Sequence, residues 1–419
     1  MTEEAKRRLA EKEGRIRAAI ALREGDRVPI MAGGNIFAIT EAGYTMAEAI
    51  YDPTLEKMKT AIIKYLLKYD PDTSSGVGDL SGEGPVLEML DPTYIEWPGR
   101  PGTKIDDNSI QQFIEFPILL DDEFDQFFSD RTGWKLNKSM PKISRLCKPL
   151  ENLKIPLSHR GLRELADEFS KPEMREMIKT FWKVSDYYEA LSCRRREVNA
   201  EIDELGFPSF GGGKAMVPFD EYSDTLRGTI LSLTDLYDNQ DVVQRFIDEY
   251  FPYMISHIKS INKDGSKTGT FVHMTLHKGL DGFMSDEFYV KYYWRYLQEI
   301  IETIVDQGMV PYVFCEGRYS TRVCHLKDVP KGKVIYKFED TPMELAKKTL
   351  GDVACITGGF PNPLLDFGTP DKVADECKRL IDICAPGGGF IFQPNSGITQ
   401  SKRENVETMF NTVKEYGKY

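Results

Sequence analysis

The chain has 419 residues, of which 41% are hydrophobic and 29% charged, so its composition is that of a globular protein and excludes a disordered, collagen-like or coiled-coil chain. Its formal net charge is -12 at pH 7, and an acidic surface repels phosphate backbones, so we expect no nucleic acid partner. There is no long uncharged apolar run, no signal-peptide pattern and no CxxC pair among the seven cysteines, which predicts a cytoplasmic protein that does not enter a membrane.

The first half of the chain begins with a predicted amphipathic helix up to about Arg23, because apolar residues recur there at helical spacing. A turn into a short strand follows at residues 26–31. Residues 94–200 interrupt the regular succession of predicted strands and helices, with a turn cluster at 97–102 and a candidate strand pair at 111–120. We therefore interpret 94–200 as an insertion and lid near a site mouth, not as a second domain.

The second half alternates between short apolar strands and longer helical segments. The predicted elements are strands at 269–274, 310–314, 333–336, 353–357 and 389–393, and helices at 285–307, 342–350, 370–384 and 402–416. Such alternation indicates a parallel sheet with helical crossovers, and the chain length favours a closed barrel. We predict an α/β fold, a (β/α)8 TIM barrel formed as a single domain by residues 1–419, with an N-terminal helical extension and an insertion near the active-site face.

Residues that directly follow the predicted strands are the candidate site residues, because active sites of parallel barrels lie at the C-terminal ends of the strands. His277 follows one predicted strand and Glu316 follows the next, so both are expected to face one funnel. For each of them a role without catalytic function also stays open. His277 would then be a surface-loop histidine, and Glu316 would form a salt bridge with Arg318 or Arg322.

Other polar residues near these strand ends also have two interpretations. Cys315 is either a metal ligand or a small buried apolar residue. Glu339 is either a site carboxylate or a charge at the N-terminus of the helix that begins near Pro342. His273 lies within a predicted strand and is interpreted as a hydrogen-bonded core histidine.

The second half also contains blocks whose order and spacing resemble a known family. They are GLDGFMS at 279–285, PYVFCEG at 311–317, GGFPNPLLDFGTPDKV at 358–373 and GGGFIFQPNSGI at 387–398. Together they resemble the uroporphyrinogen decarboxylase superfamily over roughly residues 205–416, and this superfamily also contains corrinoid and coenzyme M methyltransferases. The resemblance implies a (β/α)8 barrel with one active-site funnel.

Departures from the family pattern decide which branch is expected. Decarboxylases of the family carry an arginine-rich segment after the first strand that pairs with propionates, but residues 31–37 read MAGGNIF and contain no arginine. A tetrapyrrole with many carboxylates would lack its cationic partners there. The thiol-methylating branch holds zinc with His-x-Cys and a later Cys, and the corresponding residues here are Phe314, Glu316 and Ser396.

The remaining branch is the substrate-side methyltransferase of corrinoid-dependent O-demethylases, whose members commonly have a Cys-Glu-Gly strand end like residues 315–317. They often carry His on the next strand, where this chain has Lys337. The resemblance thus implies transfer of a methyl group from a small-molecule donor, such as an aryl methyl ether, to the cobalt of a separate corrinoid-binding protein. The chain has no DxHxxG-type cobalamin segment of its own. A homodimer stays open.

On this interpretation the catalytic residues are Glu316 and His277. The predicted substrate-binding residues are Asn35, Phe37, Tyr312, Arg318, Tyr319, Lys337 and Asn395. The candidate metal ligands, with the presence of zinc left open, are Glu316, His277, Cys315 and Glu339. Two other functions stay open: a decarboxylase or lyase that grips a small carboxylate with Arg318, Arg322 and Lys337, and a non-catalytic binding barrel.

Overall fold

The computed structural model describes residues 1–78 and 80–419, without the side chain of Asn35. The predicted substrate contact of that side chain therefore lies outside the described part. The helices before residue 94 are α1 (Glu3–Ile20), α2 (Asn35–Glu41), α3 (Met46–Ile50), α4 (Glu56–Tyr69) and α5 (Gly84–Leu90).

The next segment is mainly helical. Its elements are strands β1 (Ile95–Glu96) and β2 (Gln112–Phe113) and helices α6 (Phe124–Ser129), α7 (Arg131–Trp134), α8 (Met140–Ile143), α9 (Leu162–Ser170) and α10 (Pro172–Asp203). Short 3-10 segments at Asp121–Glu123 and Arg145–Asn152 and a π turn at Lys135–Ser139 connect these helices.

The rest of the chain alternates strands and helices as predicted. The strands are β3 (Gly211–Lys214), β4 (Phe271–Leu276), β5 (Val310–Cys315), β6 (Ile335–Phe338), β7 (Cys355–Gly358) and β8 (Phe390–Ile391). The helices are α11 (Pro218–Tyr222), α12 (Gly228–Asp238), α13 (Gln240–Ile261), α14 (Asp286–Phe288), α15 (Arg295–Asp306), α16 (Met343–Leu350), α17 (Pro363–Phe367), α18 (Pro370–Cys384) and α19 (Arg403–Tyr416).

Strands β3 to β8 form one parallel sheet in sequential order, which two irregular strands close into a barrel. Ile30 forms a parallel bridge with Phe392, directly after β8. The Asp72 amide donates to the Ile30 carbonyl, and the Ser74 amide donates to the Pro208 carbonyl ahead of β3, each at 2.8 Å. Residues near 30 and 73 thus supply the first two strands, and the predicted (β/α)8 barrel is confirmed.

Helix α1 closes the N-terminal end of the barrel. Thr2 begins the helix, since its hydroxyl accepts a hydrogen bond from the Ala5 amide at 3.2 Å. Ile16 and Ile20 lie one turn apart on one face, and they pack into the same buried cluster as Phe271 at the start of β4. Because this end is filled with apolar side chains in the described part of the chain, the opposite end, at which the strands terminate, is the open one.

Residues 94–200 pack against the open end and share the main hydrophobic core. Phe127 and Trp134 are buried in the same cluster as the barrel residues. The amides of Ile118 and Leu119 both donate to the Leu226 carbonyl, at 2.8 and 2.9 Å. These bonds explain why the predicted strand pair at 111–120 is reduced to β2: its backbone is bonded to the barrel helices instead. A lid function for this segment stays a prediction.

The predicted helix at 285–307 contains a π turn, Tyr289–Trp294, between α14 and α15. Ser285 still begins it, because its hydroxyl accepts a hydrogen bond from the Phe288 amide at 3.1 Å. Across residues 1–78 and 80–419, no helix combines the length and apolar character needed to cross a membrane.

Candidate active site

The open end of the barrel brings together side chains that follow two neighbouring strands, β4 and β5. His277 is the first residue after β4 and Glu316 the first after β5, and the register pairs Leu276 with Cys315. The two polar side chains therefore stand next to each other, with His277 Nε2 at 3.2 Å from Glu316 Oε2. The structure thus places both in one funnel.

The arginines proposed as alternative partners of Glu316 are bound elsewhere. Arg318 pairs with Asp340 at 2.8 Å, and more than half of its side chain is exposed. Arg322 is buried and pairs with Asp286 at 2.7 Å. Neither guanidinium lines the cavity described below, so the structure does not support the predicted substrate contact of Arg318 or a grip on a carboxylate by either arginine.

A carboxylate from another element completes the cluster. Asp224 lies in the π turn Ser223–Arg227 that continues α11, and its Oδ2 forms a hydrogen bond with His277 Nδ1. Its other oxygen, Oδ1, lies 3.1 Å from the Lys278 ammonium. Both ring nitrogens of His277 therefore have a carboxylate partner, and the imidazole cannot rotate without losing one of them.

These two carboxylates keep His277 positively charged. Hydrogen bonds from the ring to Asp224 and then to Glu316 raise the pKa of His277 to about 10. The hydrogen bond between His277 and Glu316 also lowers the pKa of Glu316. Burial alone would raise the pKa of Asp224, but His277 and Lys278 outweigh it and lower that pKa. At neutral pH the cluster therefore contains an imidazolium between two carboxylates.

Beneath this cluster, Asp220 fixes the backbone after β4. Its carboxyl group is fully buried and accepts hydrogen bonds from the amides of His277 and Lys278, at 3.2 and 2.9 Å, and from the Tyr293 hydroxyl. Burial, opposed by the Tyr293 bond and supported by the nearby Asp224 charge, raises the pKa of Asp220 to about 7. Asp220 is thus a positioning residue for the His277 loop.

A cavity of about 320 Å³ opens inside the barrel below the rim. Phe210 and Phe271 stack at its base, with ring centroids 4.6 Å apart. On its wall, the Tyr312 hydroxyl donates to Gln393 Oε1 at 2.7 Å, and the hydroxyl of Thr357, which lies behind the wall, donates to the same oxygen at 3.2 Å. The volume is at the lower end of the range for small-molecule sites, and the predicted contact residue Tyr312 lines it.

Lys337 in β6 also lines this cavity, as predicted for a substrate-binding residue. Only 8% of the residue is exposed, and its ammonium lies 4.3 Å from the centroid of the Phe314 ring. Burial lowers the pKa of Lys337 to about 8, although the charges of Glu339 and Glu316 oppose this effect. Lys337 does not form a direct ion pair with Glu316, because that carboxylate binds His277.

His273 is a cavity residue rather than the core histidine expected from its place within a strand. It faces Tyr312 on β5, with ring centroids 4.7 Å apart, and its surface is open to the cavity. Enclosure by the barrel wall, with the charges of Lys214 and Lys337, lowers the pKa of His273. His273 is therefore neutral at pH 7 whereas His277 is charged.

The cavity and the charged cluster occupy different levels of the barrel. His273 pairs with Tyr312 in the β4–β5 register, and His277 and Glu316 follow four residues later. At about 3.3 Å per residue, the charged pair lies roughly 13 Å further along the strands. Neither His277 nor Glu316 lines the cavity, so only a ligand that extends roughly 13 Å along the strands would contact both the cavity and the charged pair.

Several predicted site residues face away from the cavity. Cys315 is fully buried on the opposite side of β5, where burial raises the pKa of its thiol well above the ordinary value, so it is not positioned to bind a metal ion with His277. Tyr319 is also fully buried, and its hydroxyl donates to the Leu276 carbonyl at 2.9 Å. Phe37 packs against Tyr69 with ring centroids 5.8 Å apart. These side chains stabilise the core and do not contact the cavity.

Two further predicted residues hold the rim loops. Glu339 accepts a hydrogen bond from the Gly317 amide at 2.7 Å, so its carboxylate orders the turn after Glu316. Asn395 Nδ2 donates to the Glu339 carbonyl at 3.4 Å. Both side chains stabilise loops next to the site, and neither lines the cavity.

The donor set does not fit the zinc site that the family resemblance implies. Both nitrogens of His277 are bonded to carboxylates, and Phe314 and Ser396 replace ligands of the thiol-methylating branch. Outside residue 79 and the Asn35 side chain, no group of three or more His, Cys, Asp or Glu residues is arranged to hold a metal ion. We therefore assign no step to zinc.

The sequence prediction did not include Asp220, Asp224 or Lys278. The two aspartates are four residues apart, which places them on one helical face, and this spacing was the available signal. The helical face that carries Asp220 and Asp224 is directed at the end of β4 only because α11 packs beside that strand. Gln393, which lines the cavity, and Thr357, which bonds to it, were not predicted as site residues either, although each follows an apolar run, the same signal that identified His277 and Glu316.

Comparisons with known proteins agree with the barrel fold. Residues 154–416 match the sequence profile of the family described as uroporphyrinogen decarboxylase (URO-D). A methyltransferase from Methanosarcina mazei has a similar fold, with a TM-score of 0.59 and 15% sequence identity over 97% of this chain and 98% of that one. A comparison with curated proteins finds no match. The fold and the matched region together show that the chain belongs to the uroporphyrinogen decarboxylase family.

Proposed function

We propose that the protein is a methyltransferase that moves a methyl group from a small donor, such as an aryl methyl ether, to the cobalt of a separate corrinoid protein. The observation that carries this proposal is the charged His277, held by Asp224 and Glu316 at the end of the barrel where the strands terminate, beyond a small cavity whose wall includes Phe210, Phe271 and Tyr312. The similar fold of the Methanosarcina mazei methyltransferase supports it.

The reaction requires a proton at the leaving oxygen. When the bond between the ether oxygen and the methyl carbon breaks, the electron pair stays on oxygen and a phenolate forms unless an acid protonates it. The proton on His277 Nε2 would move to that oxygen. A phenol has a pKa near 10, as tyrosine does, and the pKa of His277 is also about 10, so the transfer is nearly balanced.

The neighbouring carboxylates have separate tasks in this scheme. Asp224 keeps the proton on Nδ1 and fixes the ring orientation, so that Nε2 points toward the mouth. Glu316 accepts the hydrogen bond of the proton on His277 Nε2 until the donor oxygen takes the place of Glu316 as the acceptor. Asp220 holds the backbone of the same loop and does not touch the donor. The partner's reduced corrinoid supplies the nucleophile that accepts the methyl group.

The cavity walls would bind the ring of the donor. Phe210, Phe271 and Tyr312 offer aromatic surfaces below the charged pair. Because the charged pair lies roughly 13 Å beyond Tyr312 along the strands, the donor would extend from these rings to the rim, with its methoxy group at His277 and the methyl carbon directed out of the barrel. This orientation leaves the methyl group accessible to a corrinoid that approaches the open end.

The proposal is tested by incubating the protein with cob(I)alamin and a panel of methoxylated aromatics and methylamines. We expect release of the free phenol together with consumption of cob(I)alamin for at least one aryl methyl ether. His277→Gln should reduce the rate by a factor of about 10² to 10⁴, the scale of a lost general acid. Asp340→Asn is the control, because Asp340 is an exposed carboxylate at the same rim whose partner is Arg318.

The outcome that contradicts the proposal is clear. If no methylated donor reacts, or if His277→Gln and Asp340→Asn behave alike, the assignment of His277 as the acid fails. A second candidate function, a decarboxylase or lyase for a small carboxylate, is favoured by one observation, the buried ammonium of Lys337 in the cavity. Release of CO2 from small aromatic acids without cob(I)alamin would support that alternative instead.

A further inference from the structure

The cavity contains a buried amine that the proposed methyl transfer does not use. Only 8% of Lys337 is exposed, and among the described residues its Nζ has no hydrogen-bond or ion-pair partner, only the Phe314 ring at 4.3 Å. The nearby carboxylates of Glu316 and Glu339 are each bound to another group. No aspartate or glutamate occurs among the described residues that line the cavity. The amine is therefore open to a ligand and is not held by a counter-charge.

These surroundings favour the neutral form of the amine. Burial lowers the pKa of Lys337 to about 8, although the charges of Glu339 and Glu316 oppose this effect. At pH 7 about a tenth of the molecules then carry the free amine, compared with less than about a thousandth for an ordinary lysine. A neutral amine is a nucleophile, and enzymes that form imines use a lysine in an apolar pocket in this way. An arginine, which stays charged, would suit a site that only binds an anion.

A second group in the cavity can move the protons that such a nucleophile exchanges. His273 lines the same cavity, and burial, with the charges of Lys214 and Lys337, lowers its pKa. The ring is therefore neutral at pH 7 and able to accept a proton. Because the charge of Lys337 contributes to this lowered pKa, the amine and the imidazole interact electrostatically across the cavity.

We propose that Lys337 forms an imine with a small aldehyde that enters the cavity. This activity goes beyond methyl transfer and does not depend on it. The cavity volume of about 320 Å³ limits the size of the aldehyde. Tyr312 lines the cavity two residues before Phe314 on the same face of β5, so both rings would contact the apolar part of an aldehyde at the amine.

The atoms of this step balance without an oxidant or a reductant. The ammonium gives one proton to His273, and the free amine attacks the carbonyl carbon, so a C–N bond forms and the π electrons of the carbonyl move to oxygen. A second proton passes from nitrogen to that oxygen, which gives a carbinolamine. His273 returns the first proton to the hydroxyl group, and the C–O bond breaks as the nitrogen lone pair forms the C=N bond. Water leaves, and Lys337 remains as a protonated imine.

Reductive trapping with benzaldehyde tests the inference. The full-length protein is incubated with benzaldehyde and cyanoborohydride at pH 7, which converts an imine into a stable secondary amine, and peptide mass spectrometry locates the benzyl group. Lys337 should be modified about 10- to 100-fold faster than Lys348, which is exposed on α16 outside the barrel, because more of the Lys337 amine is neutral. This fast phase should be lost in Lys337→Met and in Lys337→Arg, and kept in the control Lys348→Met. His273→Gln should slow it by about 10², the scale of a lost acid–base group.

Two results would overturn the imine, and a third would overturn the role of His273. The first is modification of Lys337 no faster than that of Lys348 in the wild-type protein, and the second is a fast phase that persists in Lys337→Met. The third is an unchanged fast phase in His273→Gln. A melting curve of each variant shows that it is folded. The assay contains neither corrinoid nor methyl donor, so its outcome is independent of whether the protein transfers methyl groups.

Discussion

Replacing Lys337 with methionine should stabilise the protein at neutral pH, because the wild type keeps a buried charge. Burial lowers the pKa of Lys337 from its ordinary value of 10.5 to about 8. Each pKa unit corresponds to about 1.36 kcal/mol, so keeping the ammonium protonated at pH 7 costs the folded state about 3 kcal/mol. Methionine fills a similar volume without a charge, and the free energy of unfolding should rise by an amount of that order.

The same reasoning fixes how the effect depends on pH. The pKa of Lys337 is lower in the folded state, so between pH 8 and 10.5 the unfolded chain binds the additional proton and the wild type gains stability as the pH rises. The advantage of Lys337→Met should therefore be largest below pH 8 and disappear by about pH 10.5. His277 acts in the opposite direction, but it is present in both proteins and cancels in the difference.

Urea denaturation followed by circular dichroism, at intervals from pH 7 to 10, measures this difference. The exposed Lys348→Met variant is the control and should differ from wild type by less than about 0.5 kcal/mol at every pH. A Lys337→Met variant that is less stable than wild type at pH 7 would refute the reasoning. So would a stability difference that does not change between pH 8 and 10.

Three other changes have defined outcomes. Glu316→Gln should lower turnover by about 10², and a pH–rate profile should show the alkaline limit of activity at lower pH, because one of the two groups that raise the pKa of His277 is lost. Since the folded pKa of His277 is raised from 6.5 to about 10, its contribution to stability is complete below pH 6.5 and is lost as the pH rises through 10. In urea titrations, His277→Gln should therefore cost more stability at pH 6 than at pH 10, and an equal cost would contradict the assigned charge. Gly358→Ala should lower the melting temperature, because Gly358 has a φ of +92° and a Cβ would meet the Phe338 carbonyl oxygen at 2.1 Å; Gly387→Ala, at φ +79° with open space around it, should lower it less.

The barrel itself could be predicted from the sequence because its signals are local. Short apolar strands alternate with helices from β4 onward, and this order allows few topologies other than a parallel sheet with crossovers. The strand ends could be located in the same way, and in a barrel those ends converge. His277 and Glu316 were therefore recognisable as neighbours from their positions alone, as was the apolar face of α1 that fills the opposite end.

The direction of each side chain was decided only by the tertiary structure. A barrel strand is apolar on both faces, because one face meets helices and the other lines the interior, so its sequence does not reveal which face is inside. Cys315 and Glu316 are adjacent in the sequence, yet one is buried against the helices and the other stands at the mouth. In the same way, His273 was assigned to the core and instead lines the cavity.

The charges of the site depended on the same long-range packing. Asp224 lies 53 residues before His277, and it gives that histidine a raised pKa only because α11 packs beside the end of β4. Lys337 has a lowered pKa because the closed barrel removes water from it, whereas the carboxylates closest to it are bound to other partners. A local pattern identifies which residues can ionise. Their protonation depends on burial and on charges within a few ångströms, and only the folded chain creates those distances.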